Sequence, residues 1–82
     1  MDINYELYKV FYHVASSLSF SEASKQLFIS QSAVSQSIKV LEKKLGITLF
    51  IRSTKRVQLT PEGEILFRYV EPAVNLIQRV IH

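Results

Sequence analysis

Polar side chains able to bind nucleic acid are concentrated on one side of a single segment, residues 30–45. At the helical step, Val34, Ile38 and Leu41 gather on the other side, which is typical of a helix that packs on a hydrophobic core. Glutamine can pair bidentately with adenine, serine contacts a base edge or a phosphate, and lysine reaches phosphates. These residue types favour a helix that reads the DNA major groove. The polar side carries no carboxylate and consists of Ser32, Ser35, Gln36, Lys39 and Lys43.

Basic residues continue beyond this polar side. The net charge of +3 and the pI near 9.4 suit a polyanionic partner such as the phosphate backbone. Charge alone fits a solvated surface equally well, so the interpretation as a DNA interface depends on the helix before the cluster. Between positions 39 and 56 there is one acid, Glu42, and the basic residues are Lys39, Lys43, Lys44, Arg52, Lys55 and Arg56.

Residues for catalysis or metal binding do not occur in a suitable pattern. His13 and His82 are far apart in the sequence, and neither has a nucleophile or an acid at a suitable spacing. The chain has no cysteine, no glycine-rich phosphate loop, and no glutamates spaced with histidine as metal ligands. We therefore expect no enzyme, no metal and no cofactor. Neither a signal-peptide pattern nor an apolar stretch of transmembrane length is found, so an intracellular location is expected.

Helices are expected to dominate the chain, because only two glycines and two prolines interrupt 82 residues. A first helix is predicted over 4–16. The S-x-x-E spacing of Ser19 and Glu22 is a capping box that opens a second helix, with Ser21 as an alternative N-cap. This second helix is predicted to end near residue 28.

The third helix is predicted over 30–45. Ser30 is its expected N-cap, and Gly46 follows Leu45 at the left-handed position that commonly ends a helix. Two short helices around a tight turn form a helix-turn-helix. The third helix is then the recognition helix, and Gln31 in its first turn lies beside phosphates or bases if this end enters the groove.

A small β-hairpin is predicted after Gly46, where β-prone runs occupy 49–51 and 57–59. The basic tip, residues 52–56, can lie along the DNA backbone or enter a narrow minor groove. We interpret this hairpin as a wing beside the recognition helix. Its candidate contacts are Arg52, Lys55 and Arg56.

The last segment, residues 60–82, is predicted to form a long fourth helix, with Thr60 as N-cap and Pro61 in the first turn. Its apolar residues cover an arc of about 200°, wider than packing on one small domain requires. We expect a homodimer that pairs through this helix, and we divide the chain into a DNA-binding domain (1–59) and a linker and dimerisation helix (60–82). A helix lying on a membrane surface is the alternative. The expected seam is Leu66, Val70, Ala73, Ile77 and Val80.

The chain resembles the N-terminal domain of LysR-type transcriptional regulators over nearly its whole length. The resemblance is carried by residues 20–27, 29–38 and 41–50, by Arg52, and by the Leu-Thr-Pro-Glu-Gly run at 59–63. It implies a mainly α, dimeric winged helix-turn-helix that binds double-stranded DNA, followed in a longer protein by an effector-binding domain, in the bacterial cytoplasm at the nucleoid. The positions that match the family's base contacts are Gln31, Ser32, Ser35 and Gln36, and those expected on the backbone are Ser30, Lys39, Lys43, Arg52, Lys55 and Arg56.

Two departures from the family pattern affect base readout. Ser32 stands where proline is common, and Gln36 stands where arginine is frequent. Because arginine pairs with guanine and glutamine with adenine, we expect an A·T-leaning half-site. The alternative function is a winged-helix module whose third helix binds a protein instead of DNA.

Overall fold

The computed structural model describes residues 4–53 and 56–81 of the chain. Within these ranges, four helices and a two-stranded antiparallel sheet confirm the predicted mainly α class with one hairpin. In chain order the elements are α1 (Tyr5–Ser17), α2 (Phe20–Leu27), α3 (Gln31–Leu45), β1 (Phe50–Arg52), β2 (Val57–Leu59) and α4 (Pro61–Ile81).

The first three helices begin where a side chain binds a free backbone N–H. The Asn4 side chain accepts from the Glu6 amide at 3.0 Å, and the Ser19 hydroxyl accepts from the Glu22 amide at 3.0 Å. Ser19, and not Ser21, is therefore the N-cap of α2. These caps satisfy amides that have no partner inside the helix.

All three helices end at a residue in the left-handed conformation. The φ angles are 52° at Leu18, 57° at Phe28 and 70° at Gly46. Only Gly46 adopts this conformation without steric cost. Because Phe28 caps α2, that helix ends at Leu27, one residue before the predicted limit.

The hydrophobic core lies where the helices and the hairpin meet. Phe11 of α1 is fully buried, and its ring lies 5.5 Å from that of Phe50. Phe50 in turn lies 5.9 Å from Phe20 at the start of α2. Each large apolar side chain buried in this way contributes about 1.5–3 kcal/mol. The largest fully buried side chains are Phe11, Val14, Val34, Ile38, Leu41, Leu49 and Val74.

The two strands pair in antiparallel register, with Phe50 opposite Leu59 and Arg52 opposite Val57. The first strand begins one residue later than predicted. The Leu49 amide donates to the Glu42 carboxylate at 2.7 Å, so Leu49 joins the hairpin only through its carbonyl, which accepts from the Thr60 amide.

The junction between β2 and α4 is tightly packed. The Thr60 hydroxyl donates to the Thr48 carbonyl at 2.6 Å and accepts from the Gly63 amide at 3.0 Å. A Cβ on Gly63 would overlap the carbonyl oxygen of Leu49. The Leu-Thr-Pro-Glu-Gly run at 59–63 therefore fixes α4 to the hairpin.

The last helix, α4, is continuous through Pro72. About its first two thirds pack on the domain, because Val70 and Val74 belong to the common core and Leu66 and Phe67 pack against it. Packing is therefore continuous across the predicted boundary at 59/60. No helix among the described residues has both the length and the apolar character needed to cross a membrane.

Candidate nucleic-acid interface

The polar side of α3 faces away from the core, as the spacing of its residues predicts. Val34 and Ile38 are fully buried on the inner side. Five of the predicted contact residues on α3 line one shallow hollow, namely Gln31, Ser32, Ser35, Gln36 and Lys39. Ser35 is half-buried, and the other four are exposed.

The serine hydroxyls at the start of α3 form local hydrogen bonds. Ser30 accepts from the Ala33 amide at 3.1 Å, and the Ser30 and Ser32 hydroxyls are 3.2 Å apart. The Ser30 hydroxyl is thus already used as the N-cap, whereas Ser32 lies at the exposed surface. Lysines follow further along the helix, where Lys39 and Lys43 are exposed.

Glu42, the acidic residue near this surface, accepts hydrogen bonds that the sequence pattern did not indicate. Glu42 is half-buried, and its carboxylate accepts from the Leu49 amide at 2.7 Å and the Phe50 amide at 3.4 Å. Glu42 therefore binds the start of the hairpin to α3. The outer side of α3 is left without an exposed carboxylate.

The wing lies beside the recognition helix. At its tip, the Ser53 amide donates to the Arg56 carbonyl at 2.9 Å, and Arg56 is exposed. Lys55, a predicted wing contact, lies outside the described residues.

Arg52 makes intramolecular contacts that the sequence did not predict. Its guanidinium lies over the Phe20 ring, 4.2 Å from the centroid. One of its N–H groups donates to the Ser35 hydroxyl at 2.9 Å. No sequence signal indicates these contacts, because the three residues are far apart in the chain and only the packing of β1 against α2 and α3 brings them together.

A groove of about 650 Å³ separates the start of α2 from the wing. Gln31 from α3 and Arg56 from the wing both line it, together with Ser19 and Ser21 at the N-terminus of α2. A helix N-terminus and an arginine both attract anions. The lining of this groove therefore suits an anion such as a phosphate group.

The predicted seam on α4 is only partly available to a second molecule. Val70 is 6% exposed and packs in its own core, and Leu66 is half-buried against it. These two residues of the predicted seam pack within their own domain, because the edge of the apolar arc nearest α1 is used there. Pairing through the seam stays a prediction. Ala73, Ile77 and Val80 remain exposed. The other large apolar side chains exposed on α4 are Ile65, Tyr69, Leu76 and Ile81.

His13 has a hydrogen-bond partner that was not expected. Its ring nitrogen lies 2.7 Å from the Gln26 amide oxygen and connects α1 to α2. Among the described residues, no group of His, Asp or Glu side chains is arranged to hold a metal ion.

A family model described as bacterial regulatory helix-turn-helix protein, lysR family, matches residues 5–64. The chain belongs to the lysR family. This membership confirms the predicted resemblance and the expectation that this domain is not an enzyme. The residues that match include all three helices of the core, the wing and the start of α4.

This lysR-family domain is similar to curated transcription regulators. It is 42% identical over 78 residues to the HTH-type transcriptional regulator YcaN of Escherichia coli K12, covering 95% of this chain and 26% of that protein. It is 43% identical over 70 residues to the HTH-type transcriptional regulator HdfR of Yersinia pestis Pestoides F, covering 85% and 24%. The chain thus spans about a quarter of the length of these relatives.

Solved structures confirm the winged helix-turn-helix class of this lysR-family domain. Oxidised OxyR of Corynebacterium glutamicum superposes with a TM-score of 0.92 at 30% identity, covering 99% of this chain and 26% of that one. The BenM DNA-binding domain in complex with catB site 1 DNA superposes with a TM-score of 0.89 at 29% identity, covering 96% and 89%.

Proposed function

We propose that this chain is the sequence-specific DNA-binding domain of a bacterial transcription regulator, with α3 in the major groove and the wing beside it. The observation that carries the proposal is the outer side of α3, where four exposed polar side chains and Ser35 line one surface without an exposed carboxylate. The similarity to a DNA-bound domain of the same fold supports this assignment.

The base contacts are assigned to the first half of α3, namely to Gln31, Ser32, Ser35 and Gln36. Glutamine amides offer one donor and one acceptor side by side, which matches N6 and N7 of adenine. Gln36 is exposed, so it is free to make such a pair. We therefore propose an A·T-leaning half-site.

The phosphate contacts are assigned to residues that flank this surface. Lys39, Lys43 and Arg56 are exposed, and each phosphate they neutralise makes the logarithm of affinity fall by about 0.9 per logarithmic unit of salt. Ser30 lies at the start of α3, where its hydroxyl accepts from the Ala33 amide and can still donate its proton to a phosphate of the DNA backbone. Arg52 and Lys55 complete the proposed set on the wing.

The domain acts as a dimer in this proposal. Tyr69, Leu76 and Val80 expose 75%, 61% and 76% of their surface on α4, and exposed apolar area of this kind is stabilised by a partner. A two-fold dimer places two recognition helices on an inverted repeat. The complete regulator carries an effector-binding domain after α4 and acts in the cytoplasm, at the nucleoid.

The test is selection of bound duplexes from a random DNA pool at near-physiological salt, followed by sequencing. An inverted repeat with half-sites about one helical turn apart is the expected result. A single enriched half-site would retain base readout and contradict the dimer. Retention without enrichment, lost as salt rises, would reduce α3 to a basic surface and make the protein-binding alternative the better interpretation.

A further inference from the structure

Arg52 connects three elements of the proposed interface. It belongs to β1, its guanidinium covers the Phe20 ring of α2 at 4.2 Å, and it donates to Ser35 of α3 at 2.9 Å. Phe20 is 8% exposed and packs against Phe50. The cation therefore rests on a ring that the core holds in place.

We propose that Arg52 is a positioning residue that determines how Ser35 reads a base, an inference that rests on the proposed DNA-binding function. A guanidinium can only donate, so the Ser35 oxygen is the acceptor in this bond. One of its two lone pairs is occupied, and the positive charge draws electron density from the oxygen. The hydroxyl becomes a weaker acceptor and a stronger donor toward a third group.

The proton of the Ser35 hydroxyl is directed away from Arg52. Within the described parts of the chain, the bond from Arg52 is the only hydrogen bond of this hydroxyl. Ser35 also lines the hollow on the outer side of α3. The hydroxyl proton is therefore available to a base edge in the major groove.

A serine biased toward donation recognises only some bases. Guanine presents N7 and O6 as acceptors, adenine presents N7 and thymine presents O4, whereas cytosine presents only an N4 amino donor in the major groove. Ser35 therefore disfavours cytosine at the position it contacts. Serine without this constraint contacts donors and acceptors alike.

This role is additional to the phosphate contact proposed for the same arginine, and the two have different signatures. A phosphate contact affects all sequences alike and appears in the salt dependence. A positioning contact affects the preference at one base pair of each half-site and leaves the other positions unchanged. The two roles are separated by measuring base preference and salt slope on the same variants.

The experiment compares the 82-residue chain with Arg52→Lys, Arg52→Gln, Ser35→Ala and the double variant Arg52→Lys/Ser35→Ala in the random-pool selection. Lysine keeps the charge but loses the planar stack and the fork geometry. Loss of one hydrogen-bond preference corresponds to about a fivefold change in discrimination. We expect Arg52→Lys and Ser35→Ala to relax the same single position by about this factor, and the double variant to do no more than either.

Arg56→Gln is the matched control, because Arg56 is an exposed arginine of the same wing. It is expected to lower the salt slope by about 0.9 for each subunit bound, which is about 1.8 for a dimer, and to keep every base preference. If Arg52→Gln behaves like Arg56→Gln and Arg52→Lys keeps the preference, Arg52 is a phosphate contact only and the inference is overturned, while the proposed function stands.

Two further results keep the outcomes distinct. Ser35→Ala removes only a hydroxyl from a helix, so it tests the inference even if the Arg52 variants fold poorly. An unchanged preference in Ser35→Ala would overturn the inference. If the unsubstituted chain enriches no sequence, the proposed function fails, which is visible before any variant is compared.

Discussion

At the scale of single residues, the side chains on the outer side of α3 differ in their freedom to meet a ligand. Gln31 and Gln36 are exposed and have no side-chain hydrogen bond within the described residues. Ser30 is engaged as an N-cap, and Ser35 is held by Arg52. We therefore expect substitution of these two glutamines to change base preference without changing the fold.

Gln36→Arg tests the A·T-leaning half-site. Arginine pairs bidentately with N7 and O6 of guanine. At one base pair of each half-site, we therefore expect the preference for G·C over A·T to rise by about tenfold or more. Duplex selection measures the change. Gln58→Arg on the wing adds the same charge and is expected to change affinity without changing the preferred bases. An unchanged preference in Gln36→Arg would remove this residue from the base contacts.

Gly63→Ala tests the close contact between α4 and the hairpin. A methyl group there meets the Leu49 carbonyl oxygen, which belongs to the backbone and is not free to move aside. We expect the free energy of unfolding to fall by about 2 kcal/mol in urea titrations. Gly46→Ala is the control, since nothing lies within 4 Å of that methyl group but φ is 70°, and its expected cost is about 1 kcal/mol. An unchanged free energy of unfolding in Gly63→Ala would contradict the close contact between Gly63 and Leu49.

Phe28→Asn tests the strain at the end of α2. Phe28 is 93% exposed, so its ring contributes little packing. Its φ of 57° is sterically unfavourable for a residue with a Cβ atom. Asparagine enters the left-handed region more easily, and we expect the melting temperature to rise by about 4 °C. Leu18 has a similar φ but a partly buried side chain. Leu18→Asn should therefore raise the melting temperature less. A lower melting temperature for Phe28→Asn would show that the ring stabilises the fold.

At the scale of elements, the wing is fixed to the recognition helix by two side-chain bridges. Glu42 binds the start of β1 from the C-terminal half of α3, and Arg52 binds the end of β1 to Ser35. The strand therefore cannot shift along α3 without breaking one of them. In the proposed DNA complex, the positions of the wing and of α3 are therefore coupled.

Glu42→Ala tests the first bridge. It leaves two amides without their charged acceptor, and we expect unfolding to become easier by about 2 kcal/mol. Glu42→Gln keeps an acceptor oxygen and should lower the free energy of unfolding by less. Hydrogen exchange of the Leu49 amide reports the local effect, and Glu71→Ala, an exposed acid of α4, is the control. Unchanged protection of Leu49 in Glu42→Ala would contradict the bridge.

At the scale of the whole molecule, α4 serves two surfaces. Val70 and Val74 complete the core of their own domain, while Tyr69 and Leu76 remain exposed. A helix whose apolar arc exceeds what one core covers is suited to pairing with a second copy. The geometry of the proposed dimer thus depends on residues next to those that hold α4 to its own core.

Leu76→Lys tests this pairing. Leu76 is 61% exposed, so lysine should leave the fold intact but place a charge in the proposed interface. We expect a dimer for the unsubstituted chain and a monomer for the variant in sedimentation at high micromolar concentration. Glu71→Lys, on the polar side of the same helix, should remain a dimer. A monomeric unsubstituted chain would contradict pairing through α4 alone.

Most of the local structure could be predicted from the sequence. Apolar spacing determined which side of α3 faces the core, and Ser30, Gly46 and Thr60 marked helix ends through hydrogen bonds and backbone angles that involve neighbouring residues. The candidate contact residues of α3 were predicted in the same way, because they share one helix face. These features depend on interactions over a few positions, which a linear pattern records.

The tertiary structure decided the contacts between distant segments. Only packing shows that Glu42 binds the amides of β1, that Arg52 bridges Phe20 and Ser35, and that Val70 faces its own core. A periodic pattern states that α4 has a wide apolar arc but not which part of it the domain itself uses. The physical reason is that burial and hydrogen bonding between elements depend on how those elements are placed in space, and spacing along the chain does not specify this.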